Sequence, residues 1–264
     1  MIGLLIIGDE ILSGRRQDKH LSKAIELLGE RGLALSWARY VGDDPERITA
    51  ELREILLGED LVFVFGGIGA TPDDHTRACA AQALGVPLAL HPQARTLILG
   101  RCEEMARQEG QPFDPNGADT LRRLHMGEFP QGADIVPNPY NRIPGFSLFG
   151  RVHFLPGFPV MAWPMMAWLL DERHAHLHGR DKRFEQAVIV RGVMESTITP
   201  LMQDIEVAYA GVKVFSLPSV DHPEFGRHIE LGVKGTTEQG PQAFEAMLKG
   251  LSSLGASVGP IVVH

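Results

Sequence analysis

Apolar and polar positions fall into alternating blocks along the first two-thirds of the chain. Ile2–Ile7 is a continuous apolar run ending in Gly8, which predicts a strand buried on both faces. Lys19–Arg31 carries Leu21, Ala24, Ile25, Leu27 and Leu28 as a helical stripe, with Gly32 as the stop signal. Leu33–Val41 reads as a strand, Pro45–Leu57 as a helix and Leu61–Phe65 as a second fully buried strand. Thr76–Leu84, closed by Gly85, reads as a helix, and so does Pro92–Glu109 with Leu97, Ile98, Met105 and Ala106 inward. Strands separated by helices of this length predict βαβ units on a largely parallel sheet.

The rhythm breaks at Gly110–Asn141, where prolines and glycines recur and a long irregular stretch is expected. Phe146–Phe149 and Val152–Leu155 then read as a hairpin turning at Gly150-Arg151, followed by an apolar helix from Val160 to Leu170. Asp171–Lys182 is charged and histidine-rich, which predicts a linker. Beyond it the order is strand (Phe184–Val193), helix (Glu195–Val207), strand (Val212–Leu217), strand (His228–Val233), helix (Pro241–Leu254), strand (Ser257–Val262). That βαββαβ order is the split-βαβ, ferredoxin-like pattern. Two domains are expected, 1–175 and 183–264, with a boundary near residue 180.

Composition narrows the function classes. With 44% hydrophobic and 22% charged residues, the 264-residue chain is globular in character and not disordered. Its 25 basic and 33 acidic residues give a net charge of -8, which argues against nucleic acid or anionic membrane as partner. Apolar runs are too short to span a bilayer, and no basic segment followed by an apolar one opens the chain. Cys79 and Cys102 lie in helical stretches without partner spacing, which points to a reducing compartment. A soluble cytoplasmic protein is expected, one that would bind phosphates through backbone amides, a few arginines or a metal ion.

The strongest constellation is Leu61–Phe65 running into Gly66-Gly67-Ile68-Gly69-Ala70-Thr71-Pro72-Asp73-Asp74-His75-Thr76. A buried strand ends in a glycine-rich loop and a helix begins, the place where open α/β sheets bind anions. It is neither a Walker A loop nor a dinucleotide fingerprint. Helix-start chemistry also explains Thr71 as N-cap, Pro72 as N1 and Asp74 as the acid of a capping box, but not three glycines in four positions. Adjacent carboxylates oppose an anion, so a phosphate here favours an intervening Mg²⁺. At the end of the first strand, Gly8-Asp9-Glu10 brings carboxylates to the same sheet edge, with Arg15 or Arg16 in reach of a phosphate. In Gly42-Asp43-Asp44-Pro45, Asp44 reads as an N-cap and Asp43 is left without a structural role. Asn138-Pro139, Pro144-Gly145-Phe146 and Leu155-Pro156-Gly157 are weaker candidates for a loop over the ligand and a second anion cradle. His174, His176 and His178 lack a carboxylate or cysteine in register, so a solvated linker is expected there.

These motifs, in this order, resemble the N-terminal domain of competence/damage-inducible protein A, within the molybdopterin-binding MoaB/Mog-like superfamily. The domain is also similar to the N-terminal half of eukaryotic FAD synthase. The likeness covers residues 1–172, and the second domain resembles the smaller domain that follows in competence/damage-inducible proteins. It does not extend to their amidohydrolase domain, so deamidation of nicotinamide nucleotides is not expected.

The resemblance implies a three-layer α/β/α fold, a homo-oligomer and two competing functions. One is binding of molybdopterin. The other is Mg²⁺-dependent cleavage of a nucleotide pyrophosphate such as ADP-ribose or FAD. In both, Gly8, Glu10, Gly66, Gly67, Gly69, Thr71, Asn138, Pro144, Gly145, Pro156 and Gly157 would surround the phosphate ligand. In the second, Asp73 and Asp74, with Glu10 and Asp43, would hold Mg²⁺ and carry catalysis. The sequence departs from the family pattern at Ala70, His20, Arg142 and Ile143, and lacks an acid shortly after Gly157. A protein that binds molybdopterin or a nucleotide without turnover, or an oligomeric scaffold, is the competing expectation.

Overall fold

The Ile2–Ile7 strand, β1, is buried along its whole length, and the two-residue period of a strand divides its side chains between two cores. Leu4 and Ile6 pack with Phe63 and Phe65 on one face, while Leu5 and Ile7 pack with Val62 and Val64 on the other. This is why the run has no polar positions: a strand covered on both sides has no solvent face to mark. The structure, a computed structural model, describes residues 1–179 and 184–263. It divides into two compact units, Met1–His178 and Gly179–His264.

In the first unit β1 is followed by α1 (Asp9–Leu12), α2 (His20–Gly29), β2 (Trp37–Val41), α3 (Pro45–Leu57) and β3 (Leu61–Phe65). Next come α4 (Thr76–Leu84), β4 (Leu88–Leu90), α5 (Pro92–Gln108) and α6 (Ala118–Leu124). Then follow β5 (Glu128–Pro130), β6 (Asp134–Val136), β7 (Gly145–Leu148), β8 (Val152–Leu155) and α7 (Pro159–Trp168). The main sheet has the order β2-β1-β3-β8-β7-β6. Its first four strands are parallel, and β7 and β6 run antiparallel to their neighbours. Leu27 and Leu28 of α2 and Met165 and Met166 of α7 cover one face, and Ile48 and Leu52 of α3 and Ala80 of α4 cover the other. The result is the three-layer α/β/α sandwich. Each fully buried Leu, Ile or Phe of these layers contributes roughly 1.5–3 kcal/mol.

Several expectations are corrected. The β2 strand begins at Trp37 and not at Leu33, and Ile25 of the α2 stripe is 53% exposed. The 110–141 stretch holds α6, a 3-10 turn at His125–Gly127, β5 and β6, and β5 pairs with the unforeseen β4. These strands are three residues each, too short for periodicity to announce them. The β7–β8 turn is centred on Phe149 and Gly150, both at positive φ, so Phe149 is an exposed turn residue and not part of the strand. The segment from Asp171 to His178 is largely exposed but anchored at two points: Asp171 takes a two-pronged bond from Arg31 at 2.6 and 2.7 Å, and His174, expected to be solvated, is buried. Residues 180–182 of the expected linker lie outside the described residues.

The second unit contains β9 (Phe184–Arg191), α8 (Glu195–Ala208), β10 (Lys213–His222), β11 (Gly226–Gly235), α9 (Gln239–Ser253) and β12 (Ser257–Val263). Its strands form one antiparallel sheet in the order β10-β11-β9-β12, the split-βαβ arrangement. Val188, Val190, Leu231 and Val233 of the sheet pack against Ile198, Ile205, Phe244 and Met247 of the helices. No helix among the described residues is long and apolar enough to cross a membrane.

Candidate functional site

Parallel strands β1, β3 and β8 end together, and the loops that leave them enclose a cleft of about 730 Å³. Of the residues expected to surround the phosphate or hold Mg²⁺, all but Gly145 line this cleft, while Asp9, Pro139, Phe146 and Leu155 of the flanking motifs do not. Gly145 is a strand residue whose missing side chain lets the carbonyl of Phe154 approach, since a Cβ there would lie 2.3 Å from that oxygen. Arg15 and Arg16 also line the cleft. So do Met126, Asn141 and Met161, which sequence reasoning did not single out, and Ile68, Ala70 and Ile143, which it named without a ligand role.

Close packing shapes the glycine loop. Gly66 has φ of 102° and its amide donates to Leu155 at 3.0 Å, and a Cβ there would lie 2.3 Å from the carbonyl oxygen of Ile7. Gly67 has φ of 69°, and a Cβ would lie 2.2 Å from the hydroxyl of Thr76. That hydroxyl donates to the Gly66 carbonyl at 2.9 Å, and the Thr76 amide donates to the Gly67 carbonyl at 3.0 Å. Side chains at either glycine would therefore break the splice of β3 to α4.

Asp74 closes the loop from inside. One carboxylate oxygen accepts the Gly69 amide at 2.8 Å, and the other accepts the Thr71 amide at 2.8 Å and the Thr71 hydroxyl at 2.5 Å. The capping-box residues thus fold a turn of loop, and α4 begins only at Thr76, where the N-cap His75 makes no side-chain cap. The amides of Gly67, Ile68 and Ala70 have no hydrogen-bond acceptor among the described residues. Free donors at the end of a central strand are the kind of group that can receive an anion. Nothing in the identity of Ile68 or Ala70 marks a backbone amide as free, so no sequence signal could have found them.

Across the cleft, the amide of Asp9 donates to Asp43 at 2.8 Å and the amide of Asp43 donates to Asp9 at 3.1 Å, tying the first two loops together. Burial pushes the Asp43 carboxyl above its ordinary value, and the negative charges of Asp9, Glu10 and Asp73 push in the same direction. Asp73 is exposed and held below the usual range by the neighbouring Thr71 hydroxyl and its own amide, although the 2.5 Å contact gives that hydroxyl's proton to Asp74. Among the described residues, no three His, Cys, Asp or Glu side chains converge to hold a metal ion. Asn138 lines the cleft but spends its amide group on Asn141 at 2.8 Å and the Ile143 carbonyl at 2.9 Å, which folds the covering loop. His20 is buried and stacked on Phe65, and its Nε2 lies 3.0 Å from the Gly157 carbonyl.

Comparison with known proteins places the first unit in a family. Residues 3–176 match the family described as probable molybdopterin binding domain. A CinA-like protein of Anaeromyxobacter sp. strain Fw109-5 is 37% identical over 181 residues, 67% of this chain and 42% of the relative. One from Anaeromyxobacter dehalogenans strain 2CP-C is 35% identical over 222 residues, 80% of this chain and 50% of the relative. The chain thus spans about half the length of these curated relatives. The crystal structure of CinA from Thermoplasma acidophilum, a protein described as of unknown function, superposes with a TM-score of 0.54. It is 26% identical and covers 65% of this chain and 96% of that one. The chain therefore belongs to the probable molybdopterin binding domain family.

Proposed function

We propose that the cleft binds a small molecule through its phosphate, either a nucleotide or a pterin phosphate of the molybdopterin kind. The observation that carries this reading is the set of free amides at Gly67, Ile68 and Ala70 in a cleft of about 730 Å³. That volume is in the range that encloses a ligand of nucleotide size. In this reading Asp74 shapes the cradle, and Arg15 and Arg16 supply charge from its rim.

Glu10, Asp43 and Asp73 are the carboxylates that would hold Mg²⁺. They form no cage of their own, but Mg²⁺ usually takes one or two carboxylates and completes its shell with phosphate and water, so they fit an ion shared with the ligand. Bound there, the ion would polarise a phosphoryl oxygen and activate water. The finer form of the proposal is hydrolysis of a nucleotide pyrophosphate such as ADP-ribose or FAD. A non-catalytic binding module is the second reading, favoured by the commitment of both Asp74 oxygens to the loop.

Incubation with ADP-ribose and with FAD, each with and without Mg²⁺, followed by chromatography, separates these forms. AMP produced only with Mg²⁺, and lost on Asp73→Asn, establishes the hydrolase. Calorimetric binding of either nucleotide without product establishes the binding module for nucleotides. Absence of both product and binding, for these nucleotides and for inorganic pyrophosphate, overturns the phosphate-site reading.

A further inference from the structure

Behind the glycine loop lies a buried cation. Arg77, the second residue of α4, is 9% exposed. Its guanidinium donates to the Gly69 carbonyl at 2.6 Å and to the His125 carbonyl, and its Nε is buried without a partner. No carboxylate lies within ion-pair distance among the described residues. Burial pulls the guanidinium below its ordinary value, and the negative charges of Asp74 and Glu128 pull it back.

A neutral side chain with two donors would staple these two carbonyls as well, without the several kcal/mol that a desolvated charge costs. The charge therefore asks for a role of its own. On one side Arg77 fixes the carbonyl of Gly69, between the free amides of Ile68 and Ala70. On the other it holds the His125–Gly127 turn, and Met126 of that turn lines the same cleft. Asp74, one of the two acids acting on it, spends its oxygens on the loop amides of Gly69 and Thr71. A guanidinium placed this way sets the carbonyl side of the loop so that the free amides face the cleft, and adds positive potential behind them.

We propose that Arg77 is a positioning residue for the anion cradle and that its buried charge makes the cradle favour anions of higher charge. This rests on the phosphate-site reading above. The test is calorimetric titration of the full chain with inorganic pyrophosphate and with inorganic phosphate, for the unsubstituted protein, Arg77→Lys and Arg77→Met. The expected result is that Arg77→Met weakens pyrophosphate binding about tenfold or more and weakens phosphate less, so that the preference between them shrinks. Arg77→Lys, which keeps the charge, should keep that preference. A purely structural role would lower both affinities in parallel and would not be rescued by lysine.

Thermal melts of each variant report folding independently. If Arg77→Met does not fold, Arg77→Lys still decides: preserved preference supports the proposal, and lost preference in a folded Arg77→Lys overturns it. A folded Arg77→Met with an unchanged preference also overturns it. If the unsubstituted protein binds neither anion, it is the phosphate-site reading that fails, which is a different outcome from any of these.

Discussion

At the scale of single residues, Asp74 and Gly67 make the loop what it is. Both oxygens of Asp74 accept backbone amides, so in Asp74→Asn one amide group must face an N–H donor whichever way it is turned. The expected loss is about 1–3 kcal/mol of stability, read as a lower midpoint in urea unfolding, together with weaker pyrophosphate binding. An unchanged midpoint would mean that Asp74 does not hold the loop. Gly67→Ala places a Cβ against the Thr76 hydroxyl at a positive φ, and should destabilise the protein by about 1–3 kcal/mol in the same assay. The spacing of Thr71 and Asp74 was legible as capping chemistry. What the letters did not show is that Asp74 closes a loop before the helix, which begins two residues later at Thr76, because that depends on Thr76 bonding back to Gly66 and Gly67.

At the scale of elements, the three-histidine segment after α7 belongs to the sheet it packs on. His174 lies 2.7 Å from Nε2 of His153 on β8, whose Nδ1 lies 2.6 Å from the hydroxyl of Ser147 on β7. Burial drives His153 down to about 3 and His174 down to about 4. Protonation is therefore harder in the folded state than in the unfolded chain, where histidine titrates near 6.5. The folded chain binds fewer protons below that value, so stability present at pH 7 is lost progressively as pH falls from 6.5 toward 4. Each histidine contributes a slope of at most about 1.4 kcal/mol per pH unit. Urea unfolding at pH 7 and pH 5 should show the fall, and substituting both histidines should remove most of it. The sequence could not disclose this chain, because Ser147, His153 and His174 come from three elements and share no period. By contrast, the fully apolar β1 and β3 were legible from their runs alone, since only a strand covered on both faces has no polar positions.

At the scale of the whole molecule, the cleft residues all belong to the first unit, and each unit has its own hydrophobic core. A fragment of residues 1–178 should fold and bind pyrophosphate within about threefold of the full chain, because no lining group is removed. Loss of binding in a folded fragment would show that the second unit contributes to the site. The alternation of strand and helix patterns identified both architectures. It did not identify the short β4, β5 and β6 that fill the irregular stretch, because their stability comes from pairing and not from local pattern. Against the net charge of -8, the cleft still carries two arginines, Arg15 and Arg16, beside the unbonded loop amides, the groups through which an acidic protein would have to meet the proposed anion.

In the proposed site the amides of Gly67, Ile68 and Ala70 receive the phosphate. Titration of isotope-labelled protein with inorganic pyrophosphate, followed by amide proton and nitrogen resonances, tests it directly. Saturable shifts are expected at these three amides, with the Gly69 and Thr71 amides, already bonded to Asp74, moving less. Shifts confined to other parts of the molecule, or no shifts at saturating pyrophosphate, would contradict it.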